Sequence, residues 1–310
     1  MSAKSWLRKS CLSALITGLL AASMNISWAQ GSSVVPFCQV GYKNIGFNFN
    51  LPMTTILPPY GAPALDLKFR DAGVWGGSIG IEARLGATWF ATLRADGNAT
   101  KNISVITLEN YPWGGRPLPF TWSGPNFQTW DIDGKIGYTF VTDWSLVGGV
   151  RYDYLTVAFR DPVDANGSPI VPPGQPISFR GDVFVKTRIP YLGLQLNCVS
   201  YKALLLYSPF SSASVTTPQT VFVPSPLETD NWVWTFGNGG SFLEGSLDYN
   251  VPVRDSLQFG LWARGTWMGF IGDGNWTAET NLPPIPLPQS ATGSLNRYDL
   301  GGGLSATLEF

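Results

Sequence analysis

The chain has 310 residues, 20 basic and 21 acidic, for a formal net charge of −1, and contains no histidine. Charged residues are only 13% of it, while glycine (35), proline (24) and tryptophan (13) are abundant. A near-neutral, charge-poor chain gives no reason to expect a nucleic-acid partner. The missing imidazole excludes Ser-His and Asp-His catalysis and the usual zinc sites.

At the start, Lys4, Arg8 and Lys9 precede a short apolar run over residues 12–22, and Ser27-Trp28-Ala29 is a small-x-small cleavage site. The run is too short to cross a bilayer as a helix. Residues 1–29 are therefore expected to be a signal peptide, leaving residues 30–310 as the mature domain with 17 basic and 21 acidic side chains. Cys11 precedes the apolar run and is incidental to it.

Beyond that point the dominant signal is a period of two, the spacing at which strand side chains share a face. Residues 41–50 form the first such segment. Residues 73–85 place Trp75, Gly77, Ile79, Ile81, Ala83 and Leu85 on one face. Gly86-Ala87 turns the chain, and residues 88–98 return with Trp89, Ala91, Leu93 and Ala95. Residues 127–140 and 144–159 form a second hairpin around Val141-Thr142-Asp143, with Trp130, Tyr138, Phe140, Trp144, Tyr152 and Tyr154 on its apolar face. A third covers 177–196 and 200–209, turning near Asn197-Cys198. A fourth covers 232–249 and 256–270, turning within 250–255, and Gly237-Asn238-Gly239-Gly240 predicts a bulge in its first strand. In residues 297–310, Tyr298, Leu300, Gly302, Leu304, Ala306, Leu308 and Phe310 alternate with polar or small residues.

Strands that are apolar on one face, polar on the other and aromatic at both ends are those that cross a bilayer in a closed barrel. A terminal aromatic residue closing such a strand resembles the C-terminal signal of bacterial outer-membrane β-barrel proteins. That resemblance makes Phe310 the assembly signal, read by the barrel-assembly machinery. The expected fold is all-β, an antiparallel transmembrane up-and-down barrel of about ten strands, similar in kind to OmpA-type and ten-stranded barrels. Twelve strands is the next count, since residues 103–108 can form an extra strand in a loop hairpin. The short turns are expected in the periplasm. The long connections, 51–64, 99–126, 160–176, 210–230 and 271–296, are expected outside the cell.

The aromatic girdle on the lipid face is expected to comprise Trp75, Trp89, Trp130, Tyr138, Phe140, Trp144, Tyr152, Tyr154, Tyr249, Trp267, Tyr298 and Phe310. The opposite faces assign a lumen charge network of Glu82, Arg84, Arg94, Asp96, Asp131, Asp133, Lys135, Arg151, Asp153, Arg180, Asp182, Lys186, Arg188, Glu244, Asp248, Arg264, Arg297 and Asp299, with Lys202 and Glu309. Phe90, Phe184, Phe242 and Trp262 also read as inward. Near-balanced charge in a narrow lumen points to a packed, ion-paired core. The alternative is a gated solute path.

The barrel's size resembles that of omptins, ten-stranded outer-membrane proteases that pair aspartates with an Asp-His dyad. With no residue for the His position, omptin activity is not carried over, and lipase-like barrel chemistry fails for the same reason. No enzyme activity and no cofactor or metal site is expected. Cys38 and Cys198 fall on the periplasmic side, an oxidising compartment, and are a candidate disulfide. Among the extracellular connections, Tyr111, Trp113, Phe120 and Trp122 sit in a proline-rich aromatic tract suited to stacking on an extracellular ligand. The expected function is a non-catalytic outer-membrane protein, envelope-structural or surface-binding, in contact with outer-membrane lipid and lipopolysaccharide. A narrow porin-like channel or transporter for small or hydrophobic solutes is the other reading.

Overall fold

A computed structural model describes residues 32–52, 64–99, 101–113, 116–163, 178–223, 225–254, 256–275 and 290–308. These residues are almost entirely strand. In chain order they form β1 (Ser32–Pro52), β2 (Ala64–Leu85), β3 (Trp89–Asn98), β4 (Lys101–Trp113), β5 (Arg116–Val141) and β6 (Trp144–Val163). β7 (Ser178–Asn197), β8 (Tyr201–Val223), β9 (Ser225–Arg254), β10 (Leu257–Asn275) and β11 (Ser290–Leu308) complete the sheet. Every pairing is antiparallel, and β1 pairs with both β2 and β11, so the sheet closes on itself.

Eleven strands make ten staves. β3 and β4 both pair with β2 on one side and β5 on the other, running in the same direction one above the other. The seam between them is held from both sides. The Ala99 amide donates to the Trp75 carbonyl. The Asn98 side chain accepts from the Thr129 amide at 2.5 Å and donates to the Phe127 carbonyl at 3.4 Å. The segment 103–108 therefore belongs to the upper half of a stave. It adds no eleventh or twelfth stave.

At the periplasmic end the turns are tight. Gly86 has φ of +70°, the left-handed conformation glycine adopts without steric cost, and opens the three-residue turn between β2 and β3. Most of the turn placed within 250–255 is strand instead, because β9 runs on to Arg254 and β10 begins at Leu257. The Gly237–Gly240 stretch is irregular. Between Ser211↔Gly240 and Ala213↔Phe236, β9 spends four steps against two on β8, as a bulge requires.

The extracellular connections are the main correction to the sequence reading. β8 runs to Val223 and β9 begins at Ser225, so residues 210–230 are mostly strand. β4 and β5 make 99–126 a hairpin, and β6, β10 and β11 extend into the other expected loops. A 20-residue strand such as β6, at about 3.3 Å per residue and about 40° tilt, rises roughly 50 Å, about twice the ~25 Å apolar band of an outer-membrane barrel. The upper half of the sheet thus stands above the lipid.

Candidate functional site: a two-storey lumen

The outer wall is most uniformly apolar near the periplasmic end. Trp89, Tyr138, Phe140, Trp144 and Tyr249 are exposed toward the turns, and Trp75, Trp130, Tyr152, Trp267 and Tyr298 are exposed further up. Tyr154 is half-buried beside Trp130, with ring centroids 5.3 Å apart. Between these rings the wall presents Leu93, Ile132, Ile136, Leu146, Leu194, Leu205, Leu247, Leu261, Leu300 and Leu304. Above them polar and charged side chains enter the wall, beside Phe184 and Ile271. β7 shows the change along one face: Leu192 and Leu194 below are exposed aliphatics, whereas Lys186 and Arg188 above are exposed cations.

The lumen reverses this order. Inside the lower storey lies the ionic network. Arg151 reaches Glu244 at 2.7 Å and Asp133 at 3.4 Å. Arg94 approaches Asp133 at 3.3 Å and Asp131 at 3.7 Å. Arg264 stands 3.5 Å from Asp96 and 3.8 Å from Glu244, which also accepts from Thr266. Arg297 pairs with Asp153 and, at 2.6 Å, with Asp299. Several of these are struts across the barrel. The Arg297–Asp153 pair joins β11 to β6 and the Lys202–Glu82 pair, at 2.6 Å, joins β8 to β2, each linking staves five apart in the ring. The Tyr191 hydroxyl donates to Asp133 at 2.5 Å. Gly149 makes room for that ring: a Cβ there would fall 2.5 Å from the Tyr191 oxygen. Arg151 and Arg264 also lie over the rings of Phe242 and Trp262. Buried charges need such partners, because each unpaired ion in a low-dielectric interior costs several kcal/mol, roughly.

Below the network is a vestibule of about 330 Å³ reaching down to the turn residues Asn197–Tyr201. Lys135, Lys202, Arg84, Glu82, Asp248, Asn250 and Gln258 line it. Lys135 donates to Gln195 at 3.1 Å, and Gln39 donates to Asp248 at 2.9 Å.

Above the network the interior is apolar. Ile45, Phe49, Phe127, Leu155, Val157, Val183, Val185, Ile189, Val215, Trp234, Phe236 and Phe270 are all buried in one cluster. Phe49 makes edge contacts with Trp234 and Phe236, at 6.4 and 6.2 Å between ring centroids, and Phe236 packs on Phe270 at 6.3 Å. The upper storey is therefore built like a soluble β-barrel, apolar inside and polar outside, and the lower storey like a membrane barrel.

This inversion explains which sequence-assigned residues meet and which do not. Glu82, Arg84, Arg94, Asp96, Asp131, Asp133, Lys135, Arg151, Asp153, Glu244, Asp248, Arg264, Arg297 and Asp299 face the lumen. Lys186 and Arg188 do not. Odd residues of β7 (Val183, Val185, Thr187, Ile189, Tyr191, Gln195) are buried, so Lys186 and Arg188 stand on the outer wall with Asp182. Phe184 is outside as well, stacked on Tyr154 at 6.3 Å. The sequence reading assumed apolar-out along the whole strand, which fails where the interior itself is apolar. Arg180 belongs to β7, but its side chain lies outside the described residues, as do those of Tyr111, Trp113, Phe120 and Trp122. Their backbone is strand, so the expected loop tract is a β-hairpin arm. Glu309 and Phe310 also lie outside the described residues.

The Cys38–Cys198 disulfide does not form; both thiols are free. Cys38 is exposed on the outer wall, in register with Ile79 and Ala306, whereas Cys198 sits at the vestibule mouth on the far side of the ring. Sequence reasoning also missed Lys43, which pairs with Asp96. Its alternation with Ile45, Phe47 and Phe49 on one face of β1 was the available signal.

No protein-family model matches the chain, and no curated protein matches it. Among solved structures it is similar to the outer membrane protease OmpT from Escherichia coli, with 11% identity over 93% of this chain and 100% of that one, at a TM-score of 0.63. Overlays on the translocator domain of the autotransporter NalP from Neisseria meningitidis (10% identity, 95% and 96% covered, TM-score 0.36) and on a Pseudomonas aeruginosa FadL homologue (10%, 89% and 90%, 0.31) are weaker. The closed antiparallel sheet, its lipid-facing band and the fold it shares with OmpT define the class: an outer-membrane β-barrel protein. Within that class it is a ten-stave barrel whose lumen holds an apolar core above a layer of ion pairs, with a vestibule below them.

Proposed function

We propose that the protein is a closed, non-catalytic barrel of the outer membrane. It is delivered by a signal peptide over residues 1–29 and inserted through a terminal signal at Phe310. Its work is done by the strand extensions that rise above the lipid, as an envelope-structural or surface-binding element. The observation carrying this reading is the double closure of the lumen. A solute entering from outside meets a buried apolar core, then a layer of cross-barrel ion pairs. The absence of any histidine speaks against the acid-base chemistry of the protease with the similar fold. A narrow channel is the second reading, favoured by the vestibule alone.

Liposome swelling tests the choice. Vesicles carrying the protein should shrink and stay shrunken in small sugars, as protein-free vesicles do. Re-swelling at a rate proportional to protein content would support the channel.

A further inference from the structure

Lys186 and Arg188 are exposed cations on the outer wall of the barrel. At the bilayer midplane an outward Lys or Arg costs about 2–4 kcal/mol, falling to about 0–1 kcal/mol near the interface. The register places both at that interface. Lys186 pairs with Tyr154, which pairs with Trp130 of the outer aromatic ring, and Arg188 pairs with Tyr152. Below them on the same face, past Pro190, are the exposed aliphatics Leu192 and Leu194.

The two cations are the centre of a small grid on three adjacent staves. On β6 stand Tyr152 and Tyr154; on β7, Lys186 and Arg188; on β8, Ser214 and Ser212, opposite Lys186 and Arg188 respectively. All six side chains point outward, since their buried neighbours Asp153, Thr187 and Ala213 point in. With staves about 4.8 Å apart and same-face residues about 6.6 Å apart, the grid measures roughly 10 by 7 Å. Its groups are two cations and four hydroxyls, with no carboxylate among them. Asp182 lies on the same face but four residues above Lys186, beyond Phe184, and neither cation has an ion-pair partner among the described residues.

We infer that this grid is a docking site for the phosphorylated headgroup of an outer-leaflet glycolipid. The Arg188 fork and the Lys186 ammonium supply charge-assisted hydrogen bonds to a phosphate, the hydroxyls bind its sugar, and Leu192 and Leu194 receive its acyl chains. The inference rests on the barrel lying in the outer membrane and not on whether its lumen is closed.

The test uses the full protein in nanodiscs of neutral phospholipid, titrated with diphosphorylated lipid A and read by native mass spectrometry. K186Q/R188Q should bind at least about tenfold more weakly. The charge-preserving K186R and a control at an exposed periplasmic-end cation, R254Q, should bind like the unaltered protein. Heat-modifiability on gels checks that each variant is folded, and a misfolded double variant is replaced by the single changes K186Q and R188Q. Equal affinity in K186Q/R188Q, equal affinity for fully dephosphorylated lipid A, or saturation by inorganic phosphate at the same concentration would each overturn the proposal.

Discussion

The two storeys of the barrel are made by the same ten staves, yet they obey opposite rules. In the lower one, Arg151, Glu244 and Asp133 face inward and Leu146, Leu247 and Ile132 face outward. In the upper one, Val183, Phe49 and Phe236 face inward while Lys186 and Ser214 face outward. The solvent decides. Where lipid surrounds the sheet, the apolar face goes out and polar groups must satisfy one another inside. Where water surrounds it, the hydrophobic effect buries the apolar face. A stave passing from one solvent to the other keeps its alternation and exchanges its chemistry.

The storeys should therefore fail differently. The largest effect is expected from Glu244→Leu. Glu244 is fully buried against Arg151, Arg264 and Thr266, and its loss takes from Arg151 the nearer of its two carboxylates and leaves Asp133 to balance both Arg151 and Arg94 in the interior. Unfolding in lipid or detergent should show a loss of about 3–5 kcal/mol. In the upper storey, Ile45→Ala removes fully buried aliphatic carbons, for a loss of roughly 2–4 kcal/mol. Limited proteolysis should then cut the extracellular half first, leaving a membrane-protected core. If both variants lose the whole barrel in one step at the same protease dose, the storeys are one cooperative unit. Smaller still is K202M/E82Q at the vestibule. Lys202 is partly exposed there, so removing its strut should cost under about 1 kcal/mol and open no conductance.

The thiols give a chemical version of the same contrast. Cys198 at the vestibule mouth should react quickly with a charged, membrane-impermeant maleimide. Cys38, on the lipid-facing wall between Ile79 and Ala306, should react slowly with it and faster with an apolar maleimide. Equal rates would remove Cys38 from the lipid.

The lower storey was legible in the sequence because each of its faces is chemically uniform. Tyr298, Leu300 and Leu304 alternate with Arg297 and Asp299, and both sets land where alternation puts them. The number of staves was legible too, once residues 101–113 are seen to continue the stave of 89–98. The upper storey was not. The charged even face of β7 above Pro190 looks like a lumen face only if lipid is assumed outside. Nothing local to Val183 or Val185 says that water has replaced it. Residues 210–230 were hidden for a related reason: their prolines and threonines read as loop, while pairing between β8 and β9 makes them strand. The failed disulfide is a fault of geometry. Two cysteines at the same end of a barrel need not share a face or a side of the ring.

β7 carries the inversion within one continuous strand, so a spin-label scan along it tests the account most directly. Labels placed singly at residues 183, 185, 186, 188, 192, 194 and 197, in protein reconstituted in bilayers, are read for collision with oxygen and with a water-soluble nickel chelate. The two-storey lumen predicts nickel access at 186 and 188, oxygen access at 192 and 194, neither at 183 and 185, and nickel access again at 197, which lines the vestibule. Oxygen-dominated contact at 183 and 185, with 186 and 188 shielded from both reagents, would contradict it and return the charged face of β7 to the lumen.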